Sequence, residues 1–257
     1  MAMNVLLITL DQFRADCLSV AGHPLVKTPN LDRLAKNGVR LTKHYSQCAP
    51  CSPGRASLYT GMYQMNHRVV ANGTPLDRRF DNVALLARRA GYKPTLFGYT
   101  DQSVDPRDTT GADDWRLNTF EGILPGFDCE LFIPEPHDLW INHLNENGFD
   151  VPMNAKQALL TEPDRPAEFG QSAFLTDHLL GWLKKQDGPW FAHASYLRPH
   201  PPYSAAGKWS KAYDPADVEL PIAPGNDLHP SHEMFMQLES ASAPADEAGK
   251  RHMRAQY

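Results

Sequence analysis

Three short segments carry the residue types that chemistry needs. The first is Cys48-Ala49-Pro50-Cys51-Ser52-Pro53-Gly54-Arg55. Two cysteines at this spacing suit a dithiol redox pair or one half of a zinc site. A zinc site wants a second such pair or paired histidines, whereas Cys17 and Cys129 stand isolated. A thioredoxin-like pair belongs directly after the first strand, and this one does not lie there. The second segment is Asp11-Gln12, which closes an apolar run. A carboxylate at the end of a buried strand is costly unless something compensates it. A hard divalent cation would do so, with Gln12 adding a neutral oxygen. The plain alternative is that Asp11 caps the next turn or pairs with Arg14. The third segment is Arg198-Pro199-His200-Pro201-Pro202-Tyr203, where His200 is a residue type suited to moving a proton.

The elements that must position these residues can be read from the hydrophobic pattern. "NVLLITL" is a continuous apolar run, the mark of a strand buried on both faces. "KTPNLDRLAKNG" reads as a helix with Thr28 as N-cap, Pro29 in the first turn and Gly38 as stop; Leu31, Leu34 and Ala35 share one face. Asp81 marks the start of a second helix in "FDNVALLARRAGY", closed by Gly91 and followed by the strand candidate "KPTLFGYT". From 101 to 170 the pattern dissolves, and an irregular excursion is expected. Order returns with the helix "SAFLTDHLLGWLKKQ" and the strand "PWFAHASYL", before an irregular tail over 201–257. The alternation predicts an α/β domain spanning residues 1–257, with a mostly parallel central sheet flanked by helices. Ligands of such sheets bind beyond the carboxyl ends of the strands. "DQ", "YTD" and "RPHPPY" all fall there, and the loop bearing Cys51 is free to reach the same edge.

Composition narrows the function classes. The 257 residues carry a net charge of −5 with no basic face, which argues against a nucleic-acid binder. No stretch is long enough to span a bilayer, and the N-terminal run lacks a basic flank and reads as a strand, not a signal peptide. A cytoplasmic protein with no membrane partner is expected. Four cysteines are too few and too scattered for a disulfide framework. Among the other histidines, His178 and His193 read as core or boundary residues. His23, His44 and His67 read as exposed loop residues, and His229 and His232 as a solvent-facing helix start. Arg198 could touch substrate or lie on the surface.

Cys51-Ser52-Pro53-Gly54-Arg55 matches the C-x-P-x-R signature of the sulfatases, in which the cysteine is oxidised to formylglycine. The likeness extends through "LLITLDQ", "HPLVKTPNLDRLAKNGVRLTKHYSQCAPCSPGRASLYTGMY" and "YLRPHPPY". The chain therefore resembles the N-terminal portion of a sulfatase of the alkaline phosphatase superfamily, over about residues 3–110 and 172–204. Asp11-Gln12, "ANGTPL" and "LFGYT" are most similar to the phosphonate monoester hydrolase and arylsulfatase subgroup.

The resemblance implies an alkaline phosphatase-like fold and a metal-dependent hydrolase of phosphonate monoesters, phosphodiesters or sulfate esters. It makes Asp11, Gln12 and residue 51 ligands of one divalent ion (Mn, Ca, Zn or Mg), and Cys51 the precursor of the nucleophile. Arg55 would hold the nucleophile's alkoxide, Asn72 and Tyr99 would lie along the substrate oxyanion, and His200 would serve the leaving oxygen. The chemistry is coherent. One oxygen of an aldehyde hydrate attacks sulfur or phosphorus, and the other expels the product as the aldehyde re-forms. A divalent ion lowers the hydrate's pKa, and a guanidinium matches such oxygens. Where a threonine is expected two positions after Tyr99, this chain has Asp101; a carboxylate beside an anionic substrate is unfavourable, so its role is open. The family's later metal ligands, an Asp-His or Asp-Asn pair and a lysine, are not found after Pro201, and an N-terminal fragment of an enzyme that is a homo-oligomer at full length is expected. The competing reading is a truncated, non-catalytic homologue acting as a binding or scaffold protein.

Overall fold

The computed structural model describes residues 3–223, 225, 227–238 and 242–257. In chain order the elements are β1 (Val5–Leu10), α1 (Pro29–Asn37), α2 (Cys51–Thr60), α3 (Gln64–His67), α4 (Val83–Arg89), β2 (Pro94–Gly98), β3 (Asp128–Phe132), α5 (Asp138–Glu146), α6 (Ala155–Leu160), α7 (Gln171–Leu183), β4 (Phe191–Tyr196), α8 (Pro230–Met236) and α9 (Glu247–Gln256), joined by loops and short 3₁₀ turns. The strands form one sheet in the order β1-β4-β2-β3, and every pair is parallel.

Alternation along the strands divides the core between the two faces of the sheet. On β2, Leu96 faces a cluster with Ala56 and Tyr59 of α2 and Ala84 and Ala87 of α4. Its neighbour Phe97 faces a cluster with Trp140, Ile141 and Leu144 of α5 and Leu175 and Leu179 of α7. The sheet is thus covered by α2 and α4 on one side and by α5 and α7 on the other.

Four expectations need correction. β1 is not buried on both faces: it is an edge strand, with Leu6 and Ile8 at 42% and 50% exposure. An apolar run records that a strand belongs in a sheet, not whether both of its faces are covered. The stretch 101–170 is not an irregular excursion, because it supplies β3, α5 and α6 and the fully buried Trp140, Ile141 and Leu144. Its elements are short and broken by Pro, Gly and Asp, which hides their periodicity. The tail 201–257 is irregular over 201–223 apart from short 3₁₀ turns, but it also contains α8, at the helix start read around His229 and His232, and α9. Finally, α4 is capped by Asn82, whose Oδ1 accepts from the N–H groups of Ala84 and Leu85, while Asp81 pairs with Arg89 on the surface. Thr28 does precede α1, but its hydroxyl donates to Asp32 and does not cap the helix. Among the described residues, no helix is long and apolar enough to cross a membrane.

Candidate active site

The site is built where the carboxyl ends of β1, β4 and β2 meet the first turns of α2. Asp11 extends β1 by one residue, its N–H donating to the carbonyl of Tyr196 at 3.0 Å, and its side chain is buried. Contrary to the loop expected for it, Cys51 opens α2, and Arg55 follows four residues later on the same face. Gly98 ends β2 at φ 101°, and a Cβ there would lie 2.2 Å from the carbonyl oxygen of Ser195. Only glycine lets β2 and β4 approach this closely with that backbone.

Arg55 ties the three strand ends together. Its Nη2 donates to Oδ2 of Asp11 at 3.1 Å, and its Nη1 donates to Oγ of Ser195 on β4 at 2.7 Å. Longer contacts of 3.4 Å reach the Tyr59 hydroxyl and the Tyr99 carbonyl. Nε lies 2.9 Å from Oδ2 of Asp101, just beyond β2, and the guanidinium carbon stands 5.3 Å from the Tyr99 ring centroid. Desolvation opposes a charge buried this deeply. The surrounding Asp101, Asp11, Tyr59 and Tyr99 outweigh it and hold Arg55 well above its ordinary pKa.

Cys51 donates through its thiol to Oδ1 of Asp11 at 3.6 Å. A helix N-terminus normally favours thiolate. Here burial first, and then Asp11 and Asp101, push the thiol up to about 12, with Arg55 opposing the rise. Cys48 points elsewhere, with its sulfur 3.3 Å from the Ser57 hydroxyl, and all four cysteines are free. Dithiol chemistry therefore has no support in this geometry. The first turn of α2 is held by Asn72, whose Oδ1 accepts from the Ser52 N–H at 2.9 Å, and by Gln102, whose Nε2 donates to the Ser52 carbonyl at 3.0 Å.

Asp101 is buried, with φ at 52° in the left-handed region. Burial pushes its carboxyl up to about 6, with Arg55 opposing the rise and Asp11 adding to it. One ligand atom each from Asp11, Cys51 and Asp101 lies within 4.8 Å of the others. Two buried carboxylates thus face a single guanidinium, and a donor set with that excess of negative charge fits a divalent cation.

The remaining sequence-derived residues are placed as follows. Gln12 adjoins Asp11 but is exposed, at φ 57°; its carbonyl accepts from the Tyr257 hydroxyl at 2.6 Å. Tyr99 is 1% exposed and meets the site through Arg55 from behind, not along an open face. His200 is half-buried in the turn after β4, with Nδ1 2.7 Å from the Pro201 carbonyl. A carbonyl only accepts, so Nδ1 carries the proton and Nε2 is the free ring atom. Arg198 is half-buried: it donates to the carbonyls of His200 and Pro202 and pairs with Glu162, fixing the His200 turn.

Sequence reasoning missed Ser195, whose only signal is a polar residue near the end of the buried strand Phe191–Tyr196, and gave Asp101 no positive role. It also placed two histidines wrongly. His67 is buried, its Nδ1 accepting from the Val69 N–H and its Nε2 meeting the Ser57 hydroxyl. His178 is exposed against Phe174. His193 is a core residue, as expected, with Nε2 3.2 Å from the Thr9 hydroxyl.

The chain is similar to known proteins in sequence and in fold. The chain is 38% identical to the multifunctional alkaline phosphatase superfamily protein PehA of Trinickia caryophylli, over 99% of this chain and 56% of that protein. It is 23% identical to an arylsulfatase of Clostridium perfringens, over 86% of this chain and 48% of the relative. Among solved structures, the phosphonate monoester hydrolase of Agrobacterium radiobacter superposes with a TM-score of 0.89 at 40% identity, covering 99% of this chain and 55% of that one. The phosphonate monoester hydrolase of Silicibacter pomeroyi gives 0.90 at 38% identity, with the same coverage. The chain thus spans about half the length of the relatives it matches. The sulfatase family model matches residues 3–236, which include the strand ends, the Cys51 helix and the Arg55 clamp, and the chain belongs to the sulfatase family.

Proposed function

We propose that the whole protein is a metal-dependent hydrolase of small anionic esters, namely phosphonate monoesters, phosphodiesters or sulfate esters, with an oxygen nucleophile on residue 51 after oxidation of Cys51 to formylglycine. One observation carries this reading: residue 51 opens a helix against Asp11 at the sheet edge, one helical turn from a buried arginine that the same aspartate holds. The names of the relatives support both ester classes, phosphonate through the two solved hydrolases and sulfate through the arylsulfatase.

Each residue then has a physical task. Asp11 orients residue 51 and balances Arg55. Arg55 is pre-set by three strands, so its charge needs no reorganisation when an anionic group arrives. Asn72 and Gln102 keep the first turn of α2 in register with the strand ends. His200 keeps its Nδ1 proton on the Pro201 carbonyl, and Nε2 is left to give a proton to the departing oxygen or to take one from water. Asp11, residue 51 and, by family resemblance, Gln12 would hold the divalent ion, whose bound charge lowers the pKa of the nucleophile and neutralises ester oxygens. The reading places the enzyme in the cytoplasm as a homo-oligomer.

The peptide spanning residue 51, taken from the protein made in its own cells, should carry the mass of an aldehyde. Cys51→Ala in that protein should abolish ester hydrolysis; full retained activity would sink the reading. Relative rates on an aryl sulfate and a phenyl phosphonate decide between the ester classes.

A further inference from the structure

Asp101 stands where the resemblance leads one to expect threonine, and beside an anionic substrate an extra carboxylate is unfavourable. Its surroundings supply a reason for it. The segment after β2 is pinned on both sides. Thr100 donates through its N–H and its hydroxyl to the Gly122 carbonyl, at 2.9 and 2.7 Å. Gln102 donates to the carbonyls of both Asp101 and Ser52, at 2.8 and 3.0 Å. Residue 101 is thereby locked against the first turn of α2, next to residue 51.

Within that lock the carboxylate is under-partnered. Asp101 is 2% exposed, and among the described residues its side chain accepts no hydrogen bond of good geometry; Oδ2 only approaches Arg55 Nε at 2.9 Å. A carboxylate buried this deeply normally gathers several donors. Asp11 is in a similar position: Oδ2 takes Arg55, and Oδ1 has only the weak donor of the Cys51 thiol at 3.6 Å. Each aspartate therefore gives one oxygen to Arg55, and ligand atoms of both lie within 4.8 Å of each other and of Cys51 Sγ.

We propose that Asp101 is a direct ligand of the divalent cation, joining Asp11 and residue 51, so that this chain supplies three anionic or anion-forming ligands to one ion. The proposal rests on the metal-dependent reading above and extends it. A cation in that position converts two poorly compensated carboxylates into ligands and reverses the sign of the charge that an arriving ester meets. It also compensates a buried charge that threonine would not bring.

The test titrates the 257-residue chain, with Cys51 unmodified, with Mn²⁺ alone. Bound metal is counted by equilibrium dialysis and followed by electron paramagnetic resonance. One Mn²⁺ per chain is expected, with Asp101→Asn weakening binding at least tenfold, Asp11→Asn doing the same, and Asp101→Glu retaining part of the affinity. Metal-free thermal melts show whether each variant is folded, and the rise in Tm on adding Mn²⁺ gives a second readout that should shrink in both Asn variants. Unchanged Mn²⁺ affinity in a folded Asp101→Asn chain would show that Asp101 is not a ligand and overturn the proposal. Should Asp101→Asn not fold, a folded Asp101→Thr chain with unchanged affinity and Tm response would overturn it as well, as would a parent chain that binds no stoichiometric Mn²⁺. The mass of the residue 51 peptide tests the formylglycine reading separately, so either can fail alone.

Discussion

The Arg55 guanidinium donates to the Ser195 hydroxyl at 2.7 Å across 140 residues of chain, and on its other flank to Asp11 at 3.1 Å across 44. One side chain from α2 thus staples the ends of β1, β4 and β2. Removing it leaves two buried carboxylates facing each other, and breaking a buried pair in this way costs about 3–5 kcal/mol. Arg55→Met is expected to lower stability by that order in metal-free buffer. The double variant Arg55→Met/Asp101→Asn should recover part of the loss, because one orphaned charge goes with its partner. Urea midpoints for the parent, the single and the double variant check this. A double variant no more stable than the single one would show that the Asp101 charge contributes little.

Gly98 makes a sharper prediction. Its φ of 101° is strained for any L residue, and an added Cβ would collide with backbone, the Ser195 carbonyl oxygen at 2.2 Å. Backbone cannot turn aside as a flexible side chain can. Gly98→Ala should therefore destabilise by on the order of 3 kcal/mol or more, read as a lower Tm. It should also disturb Arg55, because Ser195 and Tyr99 flank the contact. An alanine variant that melts like the parent would contradict the close approach of β2 and β4.

His193 predicts a pH dependence. It is fully buried between Tyr59 and Phe127, and burial, with Arg55 adding, lowers it from 6.5 to about 3. Above pH 6.5 the imidazole is neutral in both folded and unfolded chains and contributes no pH dependence. As pH falls from 6.5 toward 3 the unfolded chain takes up the proton first, so stability is lost across that window, by on the order of 4 kcal/mol at its lower end. His193→Phe keeps the ring packing and removes the titration. Denaturant midpoints at several pH values should show a shallower acid slope for the variant than for the parent; equal slopes would refute the assignment.

How much of this was legible in the sequence follows the range over which each feature is encoded. The strands β1, β2 and β4 and the helices α1, α4 and α7 follow from local apolar runs and their punctuation, and those signals need only near neighbours. Asp11 at the end of an apolar run is readable as a carboxylate needing compensation, but the sequence left Cys51 on a loop, and only the fold shows that Cys51–Thr60 is a helix that sets Arg55 one turn beyond it. The short elements between 101 and 170 were hidden by their Pro, Gly and Asp residues. Asp81 displaced Asn82 as the expected cap because the two stand side by side and either suits the role.

The sequence by itself determined the α/β class, the parallel strands and the identity of the groups that meet at the sheet edge, because backbone periodicity and side-chain chemistry are local properties. Only the tertiary structure decided that β4 lies between β1 and β2, and with it that Arg55 would be shared by Asp11, Ser195 and Asp101. It also decided that Tyr99 would be covered and that Asp101 would face residue 51. Those outcomes depend on strand order and on which buried charges come within a few ångströms of one another. No pattern of neighbouring residues encodes a Coulombic partner that lies 44 or 140 positions away.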